Sequence, residues 1–255
     1  MSFFSIIITT HKKAEKLQNA VYSVLLQTYQ NFEVIIVNDS PEDKEYDDFE
    51  KNIKDHRIIY IKNEKNYGVN FSKNKALSSK SIKSDWVIFL DDDNILSKDA
   101  LEMMVYFINE NRNAKWIISN KATKDNTSLT KIDQENTPLQ YDINFLLLRK
   151  YSDDATHCIH KDIIRNVFFP KTIRQGEEWL FFYEIGTMAK FYYYNFNSTY
   201  VDKNNFKEKI KNKDSNKELD NLELLWKEGI ERKINKNITF IVYMFRRFIS
   251  SIFKV

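Results

Sequence analysis

Only 4 glycines, 3 prolines and 1 cysteine occur among the 255 residues. So few glycines leave no Gly-x-Gly-x-x-Gly fingerprint and no Gly-x-x-x-x-Gly-Lys loop, which excludes ordinary NAD enzymes, kinases and ATPases. The same scarcity, with little proline, excludes collagen-like and proline-rich disordered chains. Cys158 alone cannot form an intramolecular disulfide, so a reducing compartment is expected. His157, Cys158 and His160 lie close together, but their spacing matches no zinc pattern, and no Gly-x-Ser-x-Gly elbow marks a nucleophile. The first residues lack the basic region and cleavage site of a signal peptide. No apolar run reaches the ~18–20 residues of a membrane span. These absences predict a cytoplasmic protein. A net charge of +3 is too small over this length to predict a nucleic-acid partner.

What is present is globular: 42% hydrophobic, 29% charged and 15% aromatic residues, enough to bury the core of one α/β domain and leave an appendage. Apolar runs over Phe3–Thr10, Glu33–Asn38, Arg57–Lys62, Trp86–Leu90 and Trp116–Ser119 read as strands. Between them, Lys13–Gln27, Asp43–Ile53 and Gly68–Ser79 read as helices, and Ser97 is placed to cap a fourth. Such alternation predicts a parallel sheet with helices on both faces, whose ligands sit beyond the carboxyl ends of the strands. Thr9-Thr10-His11, Asn38-Asp39 and Asp91-Asp92-Asp93 fall at those ends. Further on, Lys121–Asp142 reads as a long loop, Ile143–Lys150 is apolar, a helix opens near Trp179, and Phe191–Tyr200 is an aromatic strand. A charged linker over Lys203–Lys217 precedes helical spacing in Leu219–Ile234 and Asn237–Val255, so a division into 1–202 and 203–255 is expected.

Three acidic groups could carry chemistry. Asp91 and Asp93 can converge in a tight turn, and their hard oxygens suit Mg²⁺ or Mn²⁺ holding a diphosphate. An acidic turn before a helix would look the same. Asp39 can accept the N3–H of a uracil, or can be an ordinary turn residue before Pro41. Glu177 and Glu178 precede Trp179, where a carboxylate shielded from water can act as a general base; first-turn acids favoured by the helix dipole are the competing explanation.

Taken together, the motifs resemble glycosyltransferase family 2, the inverting enzymes with the GT-A fold, over residues 3–185. The resemblance rests on Ser5-Ile-Ile-Ile-Thr-Thr-His-Lys12, Val37-Asn-Asp-Ser40, Asn66-Tyr-Gly68 with Ser72-Lys-Asn74, Phe89-Leu-Asp-Asp-Asp93 and Gly176-Glu-Glu-Trp179. It implies a Rossmann-like, mostly parallel sheet flanked by helices, with a C-terminal helical extension. It further implies a UDP-sugar donor held by Thr9, Thr10, His11, Asp39, Asn66, Lys73, Asp91 and Asp92, with Mn²⁺ or Mg²⁺ on Asp93 and Asp91. Glu178 takes the place of the catalytic base, and Glu177 orients the acceptor or that base. Thr9 stands for the family's usual Pro, Asn38 for its first Asp, and Glu178 for the commoner Asp. No Gln-x-x-Arg-Trp motif follows, so a single addition is expected rather than processive synthesis.

In the tail, Ile238, Ile241, Val242, Phe245, Phe248, Ile249 and Ile252 recur at helical spacing among Arg246, Arg247 and Lys254. A basic, apolar helix of this kind suits a membrane surface; a helix docked on the domain or on a second subunit has the same pattern. Family members commonly act on polyprenyl-diphosphate glycans or lipooligosaccharide cores. The resemblance therefore implies a glycan or polyprenyl-diphosphate-linked oligosaccharide acceptor at the inner face of the cell membrane. A branching glucosyltransferase of a bacterial lipid-linked oligosaccharide pathway, such as protein N-glycosylation, is one specific form. The alternative is a non-catalytic nucleotide-sugar-binding or scaffold protein of the same fold. A nucleotidyltransferase is disfavoured because Thr9–Lys16 contains no glycine.

Overall fold

The structure is a computed structural model that describes residues 2–79, 82–132, 137–142, 155–202, 215–234 and 236–253. Its strands are β1 (Phe4–Thr10), β2 (Phe32–Asn38), β3 (Ile58–Lys62), β4 (Trp86–Asp91), β5 (Ile95–Leu96), β6 (Trp116–Thr123), β7 (Pro138–Leu139), β8 (Ala155–His160) and β9 (Phe191–Val201). The helices are α1 (Ala14–Leu25), α2 (Glu45–Asn52), α3 (Val69–Leu77), α4 (Ala100–Glu110), α5 (Lys161–Ile164), α6 (Trp179–Gly186), α7 (Ser215–Glu231) and α8 (Ile238–Phe253). The strands make one sheet in the order β3-β2-β1-β4-β8-β6-β9-β5, with β7 on β9.

Alternation along each strand divides the core in two. Ile6 and Ile8 of β1, Val34 and Ile36 of β2, and Ile88 and Leu90 of β4 face α1 and α4, where Leu17, Val21, Val24, Leu101 and Met104 complete one cluster. Ile7, Ile35, Val37 and Val87 face the other side, against Ala76 of α3 and Phe181 and Ile185 of α6. Strands buried on both faces must be apolar throughout, which explains the continuous Ile and Val runs of β1 and β2. Parallel register then sets Thr10 beside Asn38 and Thr9 beside Asp91, so three strand ends present their polar residues in one row.

The sheet departs from the expected parallel arrangement at β8 and again where the short strands β5 and β7 pair antiparallel with β9. Strands β3, β2, β1 and β4 are parallel, but β8 inserts between β4 and β6 and is antiparallel to both. Its sequence, Ala-Thr-His-Cys-Ile-His, hides a strand because its buried positions include polar residues. Those residues make core contacts. Trp116 Nε1 donates to His157 Nδ1 at 3.1 Å, and the imidazole stacks on Phe182 at 3.8 Å. Burial, with Lys121 and Lys73 nearby, holds His157 well below its usual pKa, and burial raises the Cys158 thiol. The loop expected over Lys121–Asp142 is also interrupted: β6 continues to Thr123, and Pro138–Leu139 forms a short strand. Ser97 does not cap α4 with its side chain; the N-cap is Asp99, and Ser97 O accepts from Ala100 N. The apolar segment 143–150 and most of the expected linker (203–214) lie outside the described residues.

A third apolar cluster joins the last two helices to the domain. Leu225 of α7 and Phe240 of α8 are buried with Ile173 and Leu180, and Trp179, Tyr243 and Met244 pack around them. Among the described residues, no helix is long and apolar enough to cross a membrane.

Candidate active site

The carboxyl end of β1 opens into a polar network. Thr10 Oγ1 donates to Asp92 Oδ2 at 2.9 Å and lies 2.7 Å from the Tyr46 hydroxyl, which accepts the Lys13 backbone N–H. Lys13 Nζ donates to Asp93 Oδ2 at 2.7 Å and Asp92 Oδ1 at 3.2 Å. Burial pulls Lys13 down, but Asp92 and Asp93 together outweigh it and hold its pKa above the usual value. For Asp92, burial outweighs the same ion pair and pushes the carboxyl up. Asp92 is thus turned inward, joining the end of β4 to β1 and to Lys13 at the start of α1. Asp91 is the solvent-facing member of the cluster, with its side chain 42% exposed, and its Oδ2 accepts from Lys121 Nζ at 3.2 Å and Asn94 Nδ2 at 3.1 Å.

At the end of β2, Asp39 organises the next turn. Its Oδ1 accepts from Asn63 Nδ2 (2.7 Å) and Tyr67 N (2.9 Å), and its Oδ2 accepts from Gly68 N (2.7 Å). Asp39 is 3% exposed, so these bonds and its burial make it the brace of the Asn66-Tyr67-Gly68 turn. Gly68 is required there: its φ is +96°, and an added Cβ would lie 2.5 Å from the Arg174 carbonyl oxygen. His11 stands at the outer edge, with Nδ1 2.6 Å from Ser40 Oγ and the Asn66 amide within 3.0 Å of its ring. Thr9 lies next to Asp91 in the register.

Helix α3 carries the site from this edge to the Glu pair. Its Asn70 amide donates to the carbonyls of Ile173 and Gly176 at 2.8 and 3.0 Å. Lys73, buried against the faces of Phe89 and Phe169, donates to Glu178 Oε1 at 2.5 Å. Glu178 is the N-cap of α6 and its side chain is 40% exposed to solvent. Glu177 points elsewhere: Trp179 Nε1 donates to its Oε2 at 2.7 Å, and the Arg247 guanidinium donates to Oε1.

These placements bring Thr9, Thr10, His11, Asp39 and Asn66 to one edge and Lys73 to Glu178. They leave Asp39, Asp92, Asp93 and Glu177 engaged by the protein itself, with the Asp93 side chain only 8% exposed beside Lys13. Lys13, Tyr46, Asn63, Lys121, Arg174 and Arg247 are further members with no local signal in the sequence, because each reaches its partner through the tertiary fold. Among the described residues no three His, Cys, Asp or Glu side chains gather around one point. Mg²⁺ is usually bound by one or two carboxylates and completed by substrate phosphates and water, so the solvent-facing Asp91 suits such an ion, whereas Asp93 could join it only by giving up its bond to Lys13.

Comparison with known proteins now decides the class, because residues 5–169 match the glycosyl transferase family 2 domain. The chain belongs to glycosyl transferase family 2. It is a glycosyltransferase by that membership, and its relatives are named as such. It is 30% identical over 219 residues to the Escherichia coli UDP-Glc:alpha-D-GlcNAc-diphosphoundecaprenol beta-1,3-glucosyltransferase WfaP, covering 83% of this chain and 84% of that protein. It is 31% identical over 141 residues to the putative teichuronic acid biosynthesis glycosyltransferase TuaG of Bacillus subtilis, covering 54% and 55% of the two chains. Among solved structures, S. aureus TarS superposes with a TM-score of 0.67 at 19% identity, over 78% of this chain and 36% of TarS. The mannosyltransferase PcManGT from Pyrobaculum calidifontis, solved with GDP-Man and Mn²⁺, gives 0.59 at 12% identity, over 79% of this chain and 56% of that one. This chain thus spans roughly a third to three fifths of these solved chains, and at such identities the likeness establishes the GT-A fold of the family.

Proposed function

We propose that this family 2 enzyme transfers one hexose, with inversion, from a UDP-sugar to a glycan carried on a polyprenyl diphosphate at the inner face of the cell membrane. One observation carries the reading: helix α3 is held at its N-cap, Gly68, by Asp39 at the nucleotide edge, and presents Lys73 to Glu178 farther along. Donor edge and candidate base are thereby both tied to one rigid element, as in-line displacement requires. The WfaP relation supports the donor and the lipid-linked acceptor.

In this reading His11, Thr9 and the Asn66 amide line the base and ribose, while Asp39 acts on the nucleotide through the turn it holds. Asp91 and Asp93 would hold Mg²⁺ or Mn²⁺, which when bound neutralises the diphosphate of the leaving UDP. Glu178 takes the proton from the acceptor hydroxyl as that oxygen bonds to the anomeric carbon. The bond from that carbon to the β-phosphate oxygen breaks, and its electron pair leaves with UDP. Glu177 orients the loop that bears this base. Residues 1–202 form the catalytic unit, and 203–255 add helices α7 and α8.

Helix α8 has two apolar faces. Phe240, Tyr243 and Met244 are packed inward, whereas Ile238, Ile241, Val242, Phe245, Phe248 and Ile249 are exposed. The outward stripe meets the membrane that carries the acceptor.

The test is binding and slow hydrolysis of UDP-, GDP- and dTDP-sugars with Mn²⁺, Mg²⁺ or chelator, followed by transfer to a GlcNAc-diphospho-lipid. Metal-dependent turnover of one UDP-sugar is the expected result. A folded protein that binds none of the donors would sink the proposal and favour a scaffold role.

A further inference from the structure

Glu177 has a left-handed backbone, with φ +57°, directly after Gly176 at φ +78°. Glycine adopts this region freely, but a residue with a Cβ does so under strain. Such conformations persist where the surroundings over-determine them, and they cluster at sites whose geometry matters. At Glu177 two donors supply that constraint. Trp179 Nε1 holds one carboxylate oxygen, and the Arg247 guanidinium, 70 residues along the chain, holds the other. The carboxylate is 10% exposed and the arginine 26%.

Arg247 is itself fixed on α8. Its guanidinium lies 5.9 Å from the Tyr243 ring, and the Tyr243 ring packs edge-on against Trp179 at 5.1 Å. Arg247, Glu177, Trp179 and Tyr243 thus close a ring of contacts that includes the residue preceding Glu178. Burial works against the charge of Arg247, but Glu177 and Tyr243 outweigh it and raise its pKa. A partly buried carboxylate that loses such a partner is left with an uncompensated charge, so the loop would rearrange.

We infer that Arg247 of the C-terminal helix is a positioning residue for Glu178, holding Glu177 in its left-handed conformation so that Glu178 stays directed at the acceptor. This assignment rests on the transferase reading given above, and it makes α8 part of the active site. Arg247 touches no reacting atom; it acts through Glu177.

The full chain tests this with Arg247→Met, which keeps the stem over Tyr243, and Arg247→Lys, which keeps the charge. A misplacement of about 1 Å costs up to about 100-fold in rate. Arg247→Met is therefore expected to lower kcat of transfer by up to that factor, with the Kd for the UDP-sugar unchanged. Arg247→Lys should recover much of the loss. On a Glu177→Gln background, Arg247→Met should add little, since the two act as one unit. Wild-type kcat in Arg247→Met would overturn the inference. So would a parallel loss of donor affinity and thermal stability that lysine does not rescue, which is the signature of a packing role. Should Arg247→Met fail to fold, Glu177→Gln is expected to show the same split between kcat and donor Kd, and an unchanged kcat there overturns the inference. Amide exchange separates this inference from the transferase reading. If the wild-type chain turns over no donor, that reading fails, yet faster exchange at 176–178 in Arg247→Met still supports positioning and unchanged exchange still removes it.

Discussion

Lys73 Nζ and Glu178 Oε1 meet at 2.5 Å across 105 residues of sequence. The lysine is held by the Phe89 and Phe169 rings at 5.8 and 5.2 Å, so its ammonium is an anchored partner rather than a solvated surface charge. The pair fixes one oxygen of the carboxylate and leaves the partly exposed side chain directed outward.

Glu178→Gln keeps the shape and removes the proton acceptor. Transfer is expected to fall by about 10²–10⁴-fold, the usual contribution of a general base, while UDP-sugar affinity is retained. Steady-state transfer with calorimetric donor titration checks this. Near-normal transfer by Glu178→Gln would remove it as the base.

Asp39 and Gly68 should behave as one structural device. Asp39→Asn turns an amide group towards donors that now meet a carboxylate, at a cost of about 1–3 kcal/mol for buried bonds lost. Gly68→Ala adds a Cβ at φ +96° against the Arg174 carbonyl and should cost about 1–3 kcal/mol. Urea unfolding measures both, and both variants should also lose donor affinity because the Asn66-Tyr67-Gly68 turn moves. Full stability with lost affinity in Asp39→Asn would mean that Asp39 contacts the base directly.

Sequence order and residue type made β1, β2, β4 and their polar ends legible, because strands buried on both faces need unbroken apolar runs. The Gly176-Glu-Glu-Trp179 segment was legible too, as a motif. What each acid does was not. Asp39, Asp92 and Glu177 look alike as turn acids, and only the fold shows that Asn63, Lys13 and Arg247 engage them. Strand β8 was missed because Thr156 and His157, both buried, interrupt the apolar run by which the other central strands are recognised. The tail carried two apolar faces in one stripe pattern, and a sequence period cannot show which half is docked.

Lys13→Met tests the acidic cluster through pH. Burial raises the Asp92 pKa against the pull of Lys13. A group with a raised folded pKa contributes stability that is present at low pH and lost as pH rises through that pKa. Removing Lys13 pushes Asp92 further the same way. The variant should therefore approach the parent in acid, where Asp92 is protonated, and fall below it by about 1–3 kcal/mol at neutral pH. Urea unfolding across this range checks it, and a gap independent of pH would exclude charge pairing as the cause.

The outward face of α8 can be separated from its inward face. Ile241 and Phe245 are 45% and 62% exposed, whereas Phe240 on the opposite side is buried. Ile241→Glu with Phe245→Glu should leave folding nearly unchanged, since exposed substitutions fall within about ±0.5 kcal/mol. Each side chain buried in a lipid interface contributes up to about 1.5–3 kcal/mol, so the double variant should lose about 100-fold or more in affinity for phospholipid vesicles. Transfer to a soluble acceptor analogue should persist, because Arg247 and Tyr243 lie on the other face. Vesicle sedimentation reads the first effect and kinetics the second. If the variant binds vesicles as the parent does while the parent alone dimerises in ultracentrifugation, the stripe belongs to a subunit contact instead of a lipid surface.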